Sequence, residues 1–296
     1  MTPPSTPLIR FFVSAIDNPR LLGAGDIREL AARVDISPTK KLGQNFVHDA
    51  NTVRKIVHAA QLRDEDHVLE VGPGLGSLTL GLLDAGATMT AIEIDPRLAT
   101  LLPQTIADYQ PSGVCHVIEA DAMEVTTLPT PPTVLVANLP YNTAVPIVLH
   151  LLRTFPTFRR VLVMVQSEVA ERLAAQPGSK AYGSPSVKAA WFGDWSVAGA
   201  ISRQVFWPVP NVDSLLVQME ARTPPGDEAL RGVLDNLVTH AFRSRRKMSR
   251  GALSEYLGAD RVTDLIERAG LKPTDRGESW GLTEFVALAR VVQAAL

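Results

Sequence analysis

The sequence predicts an α/β protein with a mostly parallel sheet, followed by a small α-helical domain. Between about residues 67 and 176, strand-like apolar runs alternate with helix-like patterns, which is typical of parallel strands joined by right-handed crossovers. Two late strand candidates, near 195–206 and 214–221, have no clear helix between them and indicate an antiparallel hairpin at one edge. Only helical patterns follow residue 227. We therefore predict an N-terminal extension over 1–37, partly disordered with a short helix, an α/β domain over 38–221, and a helical domain over 222–296.

The composition is that of an ordinary globular protein that can bury a sizeable core. The 296 residues are 46% hydrophobic and 20% charged, and the net charge of −2 excludes a molecule that is cationic throughout. The single cysteine, Cys115, cannot form an internal disulfide, which favours a reducing compartment. Since no apolar run approaches the length of a membrane span and the start lacks the basic region of a signal peptide, we expect a cytoplasmic protein with no membrane partner.

Each element of this prediction has a local signal. Asp26 is expected to cap a first helix over 25–37, a loop follows over 38–49, and apolar residues at helical spacing from Val53 predict an amphipathic helix. The predicted sheet strands are 67–72, 88–94, 114–120, 133–138 and 161–166. Asp95-Pro96 begins a helix that Pro103 should kink or end early. A helix over 167–176 stops at Pro177-Gly178, and 222–227 has the composition of a linker.

A glycine-rich turn joins the first sheet strand to the next helix. Gly72, Gly74 and Gly76 permit positive φ and a close approach of the backbone to a ligand. Glu93 ends the second strand, 93 − 72 = 21 residues on, where an acid can accept hydrogen bonds from ribose hydroxyls. The spacing is G-x-G-x-G, not the G-x-G-x-x-G of nicotinamide dinucleotide sites, and the acid Glu70 precedes it. Both features favour a ligand with a cationic amino-acid end, such as S-adenosylmethionine, over a pyrophosphate or over a turn that binds nothing.

Polar and aromatic residues follow the third and fourth strands. Asp121 could accept a hydrogen bond from the amino group of a cofactor adenine, or it could cap a helix, and this residue alone does not decide between the two roles. The side-chain oxygen of Asn138 could accept a hydrogen bond from an exocyclic amino group, Pro140 leaves nearby carbonyls available as acceptors, and Tyr141 offers a face for stacking a base. By itself the stretch 138–141 is typical of an Asn-x-Pro turn. Because it follows the glycine turn and Glu93 in the predicted strand order, it indicates a site that binds an aryl amine.

At this point the chain resembles the ribosomal RNA adenine dimethyltransferases of the kasugamycin-resistance type, which modify the small subunit. The resemblance covers about residues 38–296. It rests on nine segments in order: LGQNFVHD (42–49), LEVGPGLGSLT (69–79), IEID (92–95), ADAM (120–123), NLPYN (138–142), QSEVAERL (166–173), KAYGSPSV (180–187), FWPVPNVDS (206–214) and AFRSRRK (241–247).

The resemblance implies a fold, an activity and partners. The fold is the Rossmann-like class I S-adenosylmethionine-dependent methyltransferase fold, with a mostly parallel seven-stranded sheet. The activity is N6,N6-dimethylation of two adjacent adenosines in the 3′-terminal hairpin loop of 16S rRNA, with S-adenosylmethionine as the methyl donor. The partner is the precursor of the small ribosomal subunit, and the enzyme is expected to be a monomer.

The resemblance also assigns site residues one by one. The cofactor-binding residues are Asn45, Val47, Gly72, Gly74, Glu93, Asp121 and Asn138. The catalytic residues are Asn138, Leu139, Pro140 and Tyr141, joined by Phe206 as a second aromatic flanking the target adenine. In this mechanism two acceptors hold the adenine amine so that its lone pair can attack the methyl group, and Asn138 does not act as a base.

A basic segment in the predicted helical domain holds Arg243, Arg245, Arg246, Lys247 and Arg250 with no acid. Such a cluster on a slightly acidic protein is typical of a phosphate-binding surface, although a solvated helix face is the common alternative. The family commonly has lysine where this chain has Ser167, and arginine-leucine where it has Ser184-Pro185, so two positive charges are missing near the substrate edge. The six histidines show no metal-ligand spacing, and we expect no structural metal.

Three other functions remain open at this stage. The nearest is an antibiotic-resistance methylase that modifies an adenine of 23S rRNA. A different class is a non-catalytic RNA-binding assembly or transcription factor on the same fold. A nicotinamide-dependent oxidoreductase is a distant fourth, which the glycine spacing disfavours.

Overall fold

The computed structural model describes residues 20–36, 45–140 and 142–295. The strands within these ranges are β1 (Phe46–Val47), β2 (His67–Val71), β3 (Thr88–Glu93), β4 (Val114–Glu119), β5 (Val134–Asn138), β6 (Arg160–Gln166), β7 (Gly193–Ile201), β8 (Phe206–Trp207) and β9 (Ser214–Ala221). The α-helices are α1 (Ala24–Arg33), α2 (Ala50–Ala60), α3 (Ser77–Asp84), α4 (Pro96–Tyr109), α5 (Ala144–Thr154), α6 (Ser167–Leu173), α7 (Ser184–Ala190), α8 (Glu228–Arg243), α9 (Ser249–Leu257), α10 (Val262–Arg268) and α11 (Leu282–Gln293). The disorder expected in the N-terminal extension concerns residues outside the described ranges.

Seven strands form one mixed sheet in the order β4-β3-β2-β5-β6-β9-β7. The first five are parallel, whereas β9 runs antiparallel to both β6 and β7. This confirms the predicted parallel sheet with an antiparallel hairpin at one edge. Separately, β1 and β8 form a two-stranded antiparallel ribbon.

The central strand β2 is the point at which the strand order reverses. It pairs with β3 on one side and with β5 on the other, and open α/β sheets bind ligands beyond the carboxyl ends of strands at such a point. Helices cover both faces, so consecutive residues of β2 are equally buried. Val68 belongs to the core cluster on one face and Leu69 to the cluster on the other, which explains the unbroken apolar run.

The N-cap of helix α1 lies three residues earlier than predicted, and the prediction that Asp26 is its N-cap is wrong. Gly23 is the N-cap, and Asp26, in the first turn, accepts a hydrogen bond from the Gly23 backbone N–H at 2.8 Å. Asp26 also pairs with Arg20 and accepts a hydrogen bond from the Tyr109 hydroxyl. The contact with Tyr109 of α4 gives the carboxylate a tertiary partner inside the helix, where local sequence alone favours a cap.

Helix α4 begins as predicted, with Asp95 as its N-cap and Pro96 in the first turn. The expectation that Pro103 ends it early is wrong, because the helix continues to Tyr109. Proline removes one backbone hydrogen bond and costs a helix interior about 3 kcal/mol. The apolar face on either side of it, including Leu102 and Ile106, is buried against the sheet and offsets that cost.

The segment predicted as one strand over 195–206 is divided in two. β7 ends at Ile201, a short 3₁₀ turn follows, and β8 leaves the main sheet to pair with β1. Periodicity could not show this division because both parts have extended backbone. The helix predicted over 167–176 stops at Leu173, and α7 is an additional short helix.

The C-terminal helices α8 to α11 form most of a third core cluster, which also includes Tyr182, Val187 of α7 and Trp191. Its centre includes Trp280, whose backbone carbonyl accepts a hydrogen bond from the buried Tyr182 hydroxyl at 2.8 Å. Trp280 is thus a core residue. Within the described ranges, none of the helices combines the length and the apolar character that crossing a membrane requires.

Candidate active site

A cleft opens at the carboxyl ends of β2, β3, β4 and β5. One part is lined by Asn45, Phe46, Val47, Glu70, Gly72, Pro73, Gly74, Ser77, Leu78, Glu93, Ile94, Asp95, Leu98, Asn138, Leu139 and Pro140. The second part is lined by Val71, Gly72, Ile92, Glu93, Ile94, Ala120, Asp121, Ala122, Met123, Pro140, Asn142, Thr143 and Ile147. The two parts share Gly72, Glu93, Ile94 and Pro140, so they form one continuous cleft. It brings together all of the predicted cofactor residues.

The glycine turn forms the floor of the cleft with a backbone that requires glycine. Gly72 and Gly74 have φ of 68° and 60°, in the left-handed region. A Cβ atom at Gly74 would lie 2.9 Å from the Phe46 ring, and one at Gly72 would lie 3.9 Å from the Asn138 carbonyl oxygen. The turn therefore packs closely against both β1 and the end of β5.

Glu93 fixes this turn from the end of β3. Its two carboxylate oxygens accept hydrogen bonds from the backbone N–H groups of Gly74 and Asp95, each at 3.0 Å. Burial raises the pKa of Glu93, while these backbone hydrogen bonds oppose the rise. A carboxylate held in this way can still accept hydrogen bonds through its remaining lone pairs.

Glu70 lines the cleft, but it does not carry the negative charge that its position in the sequence suggested. Its side chain is fully buried, and this burial raises its pKa to about 8 although the Thr79 hydroxyl donates to it at 2.6 Å. In the protein alone the carboxyl is therefore mostly neutral at pH 7. Sequence position reveals an acid, but its ionisation depends on burial that only the fold determines.

Asp121 lies at the end of β4 in a turn, not at the start of a helix. Its side chain accepts a hydrogen bond from the Met123 backbone N–H at 2.8 Å, and the residue lines the second part of the cleft. Asp121 therefore stabilises a turn and does not cap a helix. A second carboxylate oxygen is still available to a ligand.

The stretch after β5 presents Asn138, Leu139 and Pro140 to the cleft. The Asn138 side-chain amide donates to the Asn45 backbone carbonyl at 3.1 Å. The Leu139 N–H donates to the Met164 carbonyl at 3.1 Å, which fastens the stretch to β6. Tyr141, the remaining predicted catalytic residue of this stretch, lies outside the described residues.

Phe206 lies behind the cleft wall instead of on its surface. It is 1% exposed and does not line either part of the cleft. Its strand β8 pairs it with Val47, which does line the cleft, and the neighbouring Trp207 stacks on Phe46 with ring centroids 6.4 Å apart. Its assignment as a second aromatic beside the target base stays a prediction.

Two apolar side chains at the lip of the cleft were missed by the sequence reasoning. Ile94 is 61% exposed and lines both parts, and Met123 is 38% exposed in the second part. Each directly follows or nearly follows an acid at a strand end, Glu93 or Asp121. Exposed apolar residues at such positions could have indicated a surface for a planar base.

The basic segment divides into paired and unpaired charges. Arg243 pairs with Glu255 at 3.3 Å, and Arg245 pairs with Glu278 at 2.6 Å. In the described part of the chain, no acid lies within ion-pair distance of Arg246, Lys247 or Arg250, and all three are exposed. Within the same ranges there is also no group of three or more histidine, cysteine, aspartate or glutamate side chains that could hold a metal ion.

Comparisons with known proteins identify the family. A family model described as ribosomal RNA adenine dimethylase matches residues 37–290. The ribosomal RNA small subunit methyltransferase A of Leifsonia xyli subsp. xyli is 55% identical, over 91% of this chain and 98% of its own length. The protein of the same name from Thermobifida fusca is also 55% identical, over 91% of this chain and 96% of its own.

Solved structures agree with this result. A crystal structure of the 23S rRNA methyltransferase ErmE has a TM-score of 0.64 at 27% identity and covers 84% of this chain and 100% of its own. A dimethyladenosine transferase from Plasmodium falciparum, at 24% identity, shares the fold with a TM-score of 0.68 over 82% of this chain and 95% of its own. They confirm the predicted Rossmann-like methyltransferase fold, and with the family match they show that this chain belongs to the ribosomal RNA adenine dimethylase family of methyltransferases.

Proposed function

We propose that this protein uses S-adenosylmethionine to dimethylate two adjacent adenosines in the 3′-terminal hairpin loop of 16S rRNA during small-subunit assembly. The relatives at 55% identity carry the name small subunit methyltransferase A, and they match nearly the whole chain. The observation that carries the proposal is the single cleft in which the glycine turn and Glu93 lie beside Asn138. A methyl donor bound by the glycine turn and Glu93 would lie next to an amine bound by Asn138.

The residues of the cleft fit S-adenosylmethionine. Gly72 and Gly74 let the ligand approach the backbone, Glu93 offers acceptors for ribose hydroxyls, and Ile94 offers an apolar surface for adenine. The buried carboxyl of Glu70 suits the ammonium group, because a nearby cation favours the charged form of an acid and would lower its pKa. The bound cofactor would supply an electrophilic methyl group on a sulfonium centre.

The acceptors at the end of β5 would prepare the target adenine. The Asn138 side-chain oxygen and a backbone carbonyl near Pro140 would accept hydrogen bonds from the two N–H groups of the 6-amino group. The Pro140 carbonyl already accepts a hydrogen bond from the Thr143 N–H, and one lone pair of this oxygen is left for the substrate. Held in this way, the amine lone pair would no longer be delocalised into the ring and could attack the electrophilic methyl group that the cofactor would supply, with the electrons of the C–S bond remaining on sulfur. The cationic product then loses a proton to water, so no general base is needed.

Replacing Asn138 tests the site. In Asn138→Ala, methyl transfer to an immature small subunit should fall by about 10²- to 10³-fold, because one preorganised acceptor is lost. Cofactor affinity by calorimetry should largely survive. Asn51→Ala, which removes an exposed asparagine of α2 away from the cleft, is the matched control. Transfer by Asn138→Ala at a near-normal rate would refute the assigned mechanism.

The second candidate function is methylation of 23S rRNA, because the chain is 27% identical to the 23S rRNA methyltransferase ErmE. The two functions differ only in where the methyl groups appear. Incubation with tritiated cofactor and separated immature small and large subunits, followed by mapping of the modified adenosines, distinguishes them. Label on 16S rRNA supports the proposal, and label confined to 23S rRNA overturns it. Undetectable cofactor binding would favour the non-catalytic RNA-binding alternative.

The proposed substrate also defines the partners. We propose that the unpaired cations Arg246, Lys247 and Arg250 bind phosphates of the rRNA in the small-subunit precursor, and that the enzyme acts as a cytoplasmic monomer. The domain division at 38–221 and 222–296 is part of this proposal. It is supported by the segment between β9 and α8, which has neither helix nor strand. The core of α8 to α11 continues across this boundary to Tyr182, Val187 and Trp191, so the two parts pack together.

A further inference from the structure

The hydrogen bond between Asn138 and Asn45 determines which way the Asn138 amide faces. The Asn138 side chain lies 3.1 Å from the Asn45 backbone carbonyl oxygen. A carbonyl oxygen accepts and never donates, so the group facing it must be the NH₂ of the amide. The side-chain oxygen Oδ1, on the other branch of the planar amide, must therefore face away from Asn45.

This orientation matters because the opposite one would defeat the proposed chemistry. An amide turned by 180° would present its NH₂ to the adenine amine, donor against donor, and its Oδ1 to the Asn45 carbonyl, acceptor against acceptor. Both contacts are unfavourable. The Asn45 carbonyl thus acts as a fixed acceptor that selects the productive orientation, provided that β1 is itself held in place.

β1 is held from two sides. The hydroxyl of Ser77, the first residue of α3, donates to the Val47 carbonyl at 2.5 Å and is buried, with the residue 7% exposed. On the other side, the His48 N–H donates to the Val205 carbonyl at 2.9 Å and β1 pairs with β8. Only the first of these contacts depends on a side chain, so it is the one that substitution can remove.

We propose that Ser77 is a positioning residue for methyl transfer: through the Val47 carbonyl it holds β1 so that the Asn45 carbonyl fixes the Asn138 amide with Oδ1 toward the cleft. The proposal rests on the proposed function, since it takes Asn138 as the acceptor for the target amine. It also gives a role to the serine that directly follows the glycine turn. Alanine at this position would keep the helix but lose the hydroxyl donor.

Ser77→Ala tests the positioning role, with Ser77→Thr as the conservative variant that keeps a hydroxyl. The matched control is Ser186→Ala, which removes another buried serine hydroxyl near a helix start, one that donates to the Arg172 carbonyl far from the cleft. With saturating cofactor and immature small subunit, the single-turnover transfer rate of Ser77→Ala should fall at least about tenfold, because misplacing a reacting group by a fraction of an ångström slows chemistry strongly. Because Asn45 and Val47 also line the cleft, its cofactor Kd should rise, but by a clearly smaller factor than the rate falls, and Ser77→Thr should recover most of the rate.

A spectroscopic readout reports the amide itself. The chain has seven asparagines, so a sample labelled with ¹⁵N only at asparagine gives few side-chain NH₂ signals, and Asn138→Ala identifies the pair that belongs to Asn138. In the unsubstituted protein one proton of this pair should be shifted by its hydrogen bond and exchange slowly. In Ser77→Ala this difference should diminish, and in Ser186→Ala it should not.

The possible results separate the two proposals. An unchanged transfer rate and an unchanged Asn138 signal in Ser77→Ala would overturn the positioning role while the proposed function stands. A parallel loss of rate and cofactor affinity would also overturn it, since Ser77 would then serve cofactor binding. Retained transfer in Asn138→Ala would instead refute the catalytic site on which the inference rests.

Discussion

Glu70 is a buried acid whose ionisation makes the stability of the protein depend on pH. Its pKa is raised from 4.5 to about 8 because burial disfavours the charged form. Between these values the folded protein retains a proton that the unfolded chain releases. The contribution of Glu70 to stability is therefore fully present below about pH 4.5 and is lost as the pH rises through about 8.

Glu70→Gln should remove this pH dependence, because the amide has the same shape, can still accept from Thr79, and does not ionise. We expect the free energy of unfolding in urea to fall between pH 6 and pH 9 by about 2 kcal/mol more in the unsubstituted protein than in Glu70→Gln. Glu93 also has a raised pKa and remains in both proteins, and its charge contributes to raising the pKa of Glu70. Equal pH dependence in the two proteins would contradict a neutral Glu70.

The residues of the cleft differ in how far their roles can be predicted from sequence. Gly72, Glu93 and Asn138 were placed correctly at the cleft because each ends a strand of a parallel sheet, and such ends meet at one edge. The acceptor for the Asn138 amide is a backbone carbonyl 93 residues earlier. A backbone carbonyl has no signature in the sequence, so neither this contact nor the role of Ser77 could be foreseen.

At the level of elements, the packing of β1 on the glycine turn can be tested at Gly74. Gly74→Ala should strain a residue at φ 60° and bring its Cβ within 2.9 Å of Phe46. We expect a loss of about 1–2 kcal/mol in unfolding free energy and weaker cofactor binding by calorimetry. Gly25→Ala in α1 is the control, since its Cβ meets nothing within 4 Å and helix interiors favour alanine. Equal effects of the two substitutions would contradict this packing.

Asp26 links helix α1 to α4 through the Tyr109 hydroxyl, and it also binds the Gly23 N–H and Arg20. Asp26→Ala should destabilise the protein by about 1–3 kcal/mol, because the N-cap residue Gly23 loses the acceptor for its N–H and the partly buried Tyr109 hydroxyl loses its partner. Urea unfolding measures the loss, and hydrogen exchange should show faster opening of α1. Glu29→Ala, which removes only an exposed pair with Arg33, should cost less than about 0.5 kcal/mol. A comparable cost for both would show that α1 is not held by Asp26.

Local signals failed for elements where tertiary contacts dominate. Pro103 should end a helix by its own chemistry, yet burial of the α4 face against the sheet carries the helix past it. The strand predicted over 195–206 divides because β8 finds a partner in β1, which lies about 160 residues earlier. Alternation and periodicity predicted the central sheet because those patterns reflect burial on both faces, whereas a two-residue ribbon leaves no pattern.

At the scale of the whole molecule, charge is unevenly distributed. The chain has a net charge of −2, but Arg246, Lys247 and Arg250 are exposed and have no acidic partner in the part of the chain that the structure describes. In contrast, Arg243 and Arg245 are held by Glu255 and Glu278. The sequence predicted a cluster of five cations without a neighbouring acid. In the fold two of the five are paired, because Glu255 and Glu278 come from later segments of the chain.

Substituting these three cations with alanine together should weaken binding of a 16S rRNA fragment that contains the 3′-terminal hairpin. Each phosphate contact contributes about 0.7–0.9 to the slope of log affinity against log salt concentration, so the slope should become shallower by about 2 to 3. Cofactor affinity should not change, because the segment lies outside the cleft. The control is a triple alanine variant of Arg28, Arg54 and Lys55, which removes equal charge from exposed positions of α1 and α2. Fluorescence anisotropy over a range of salt concentrations gives both slopes, and equal slopes for the two variants would contradict a localised phosphate contact and favour a solvated helix face.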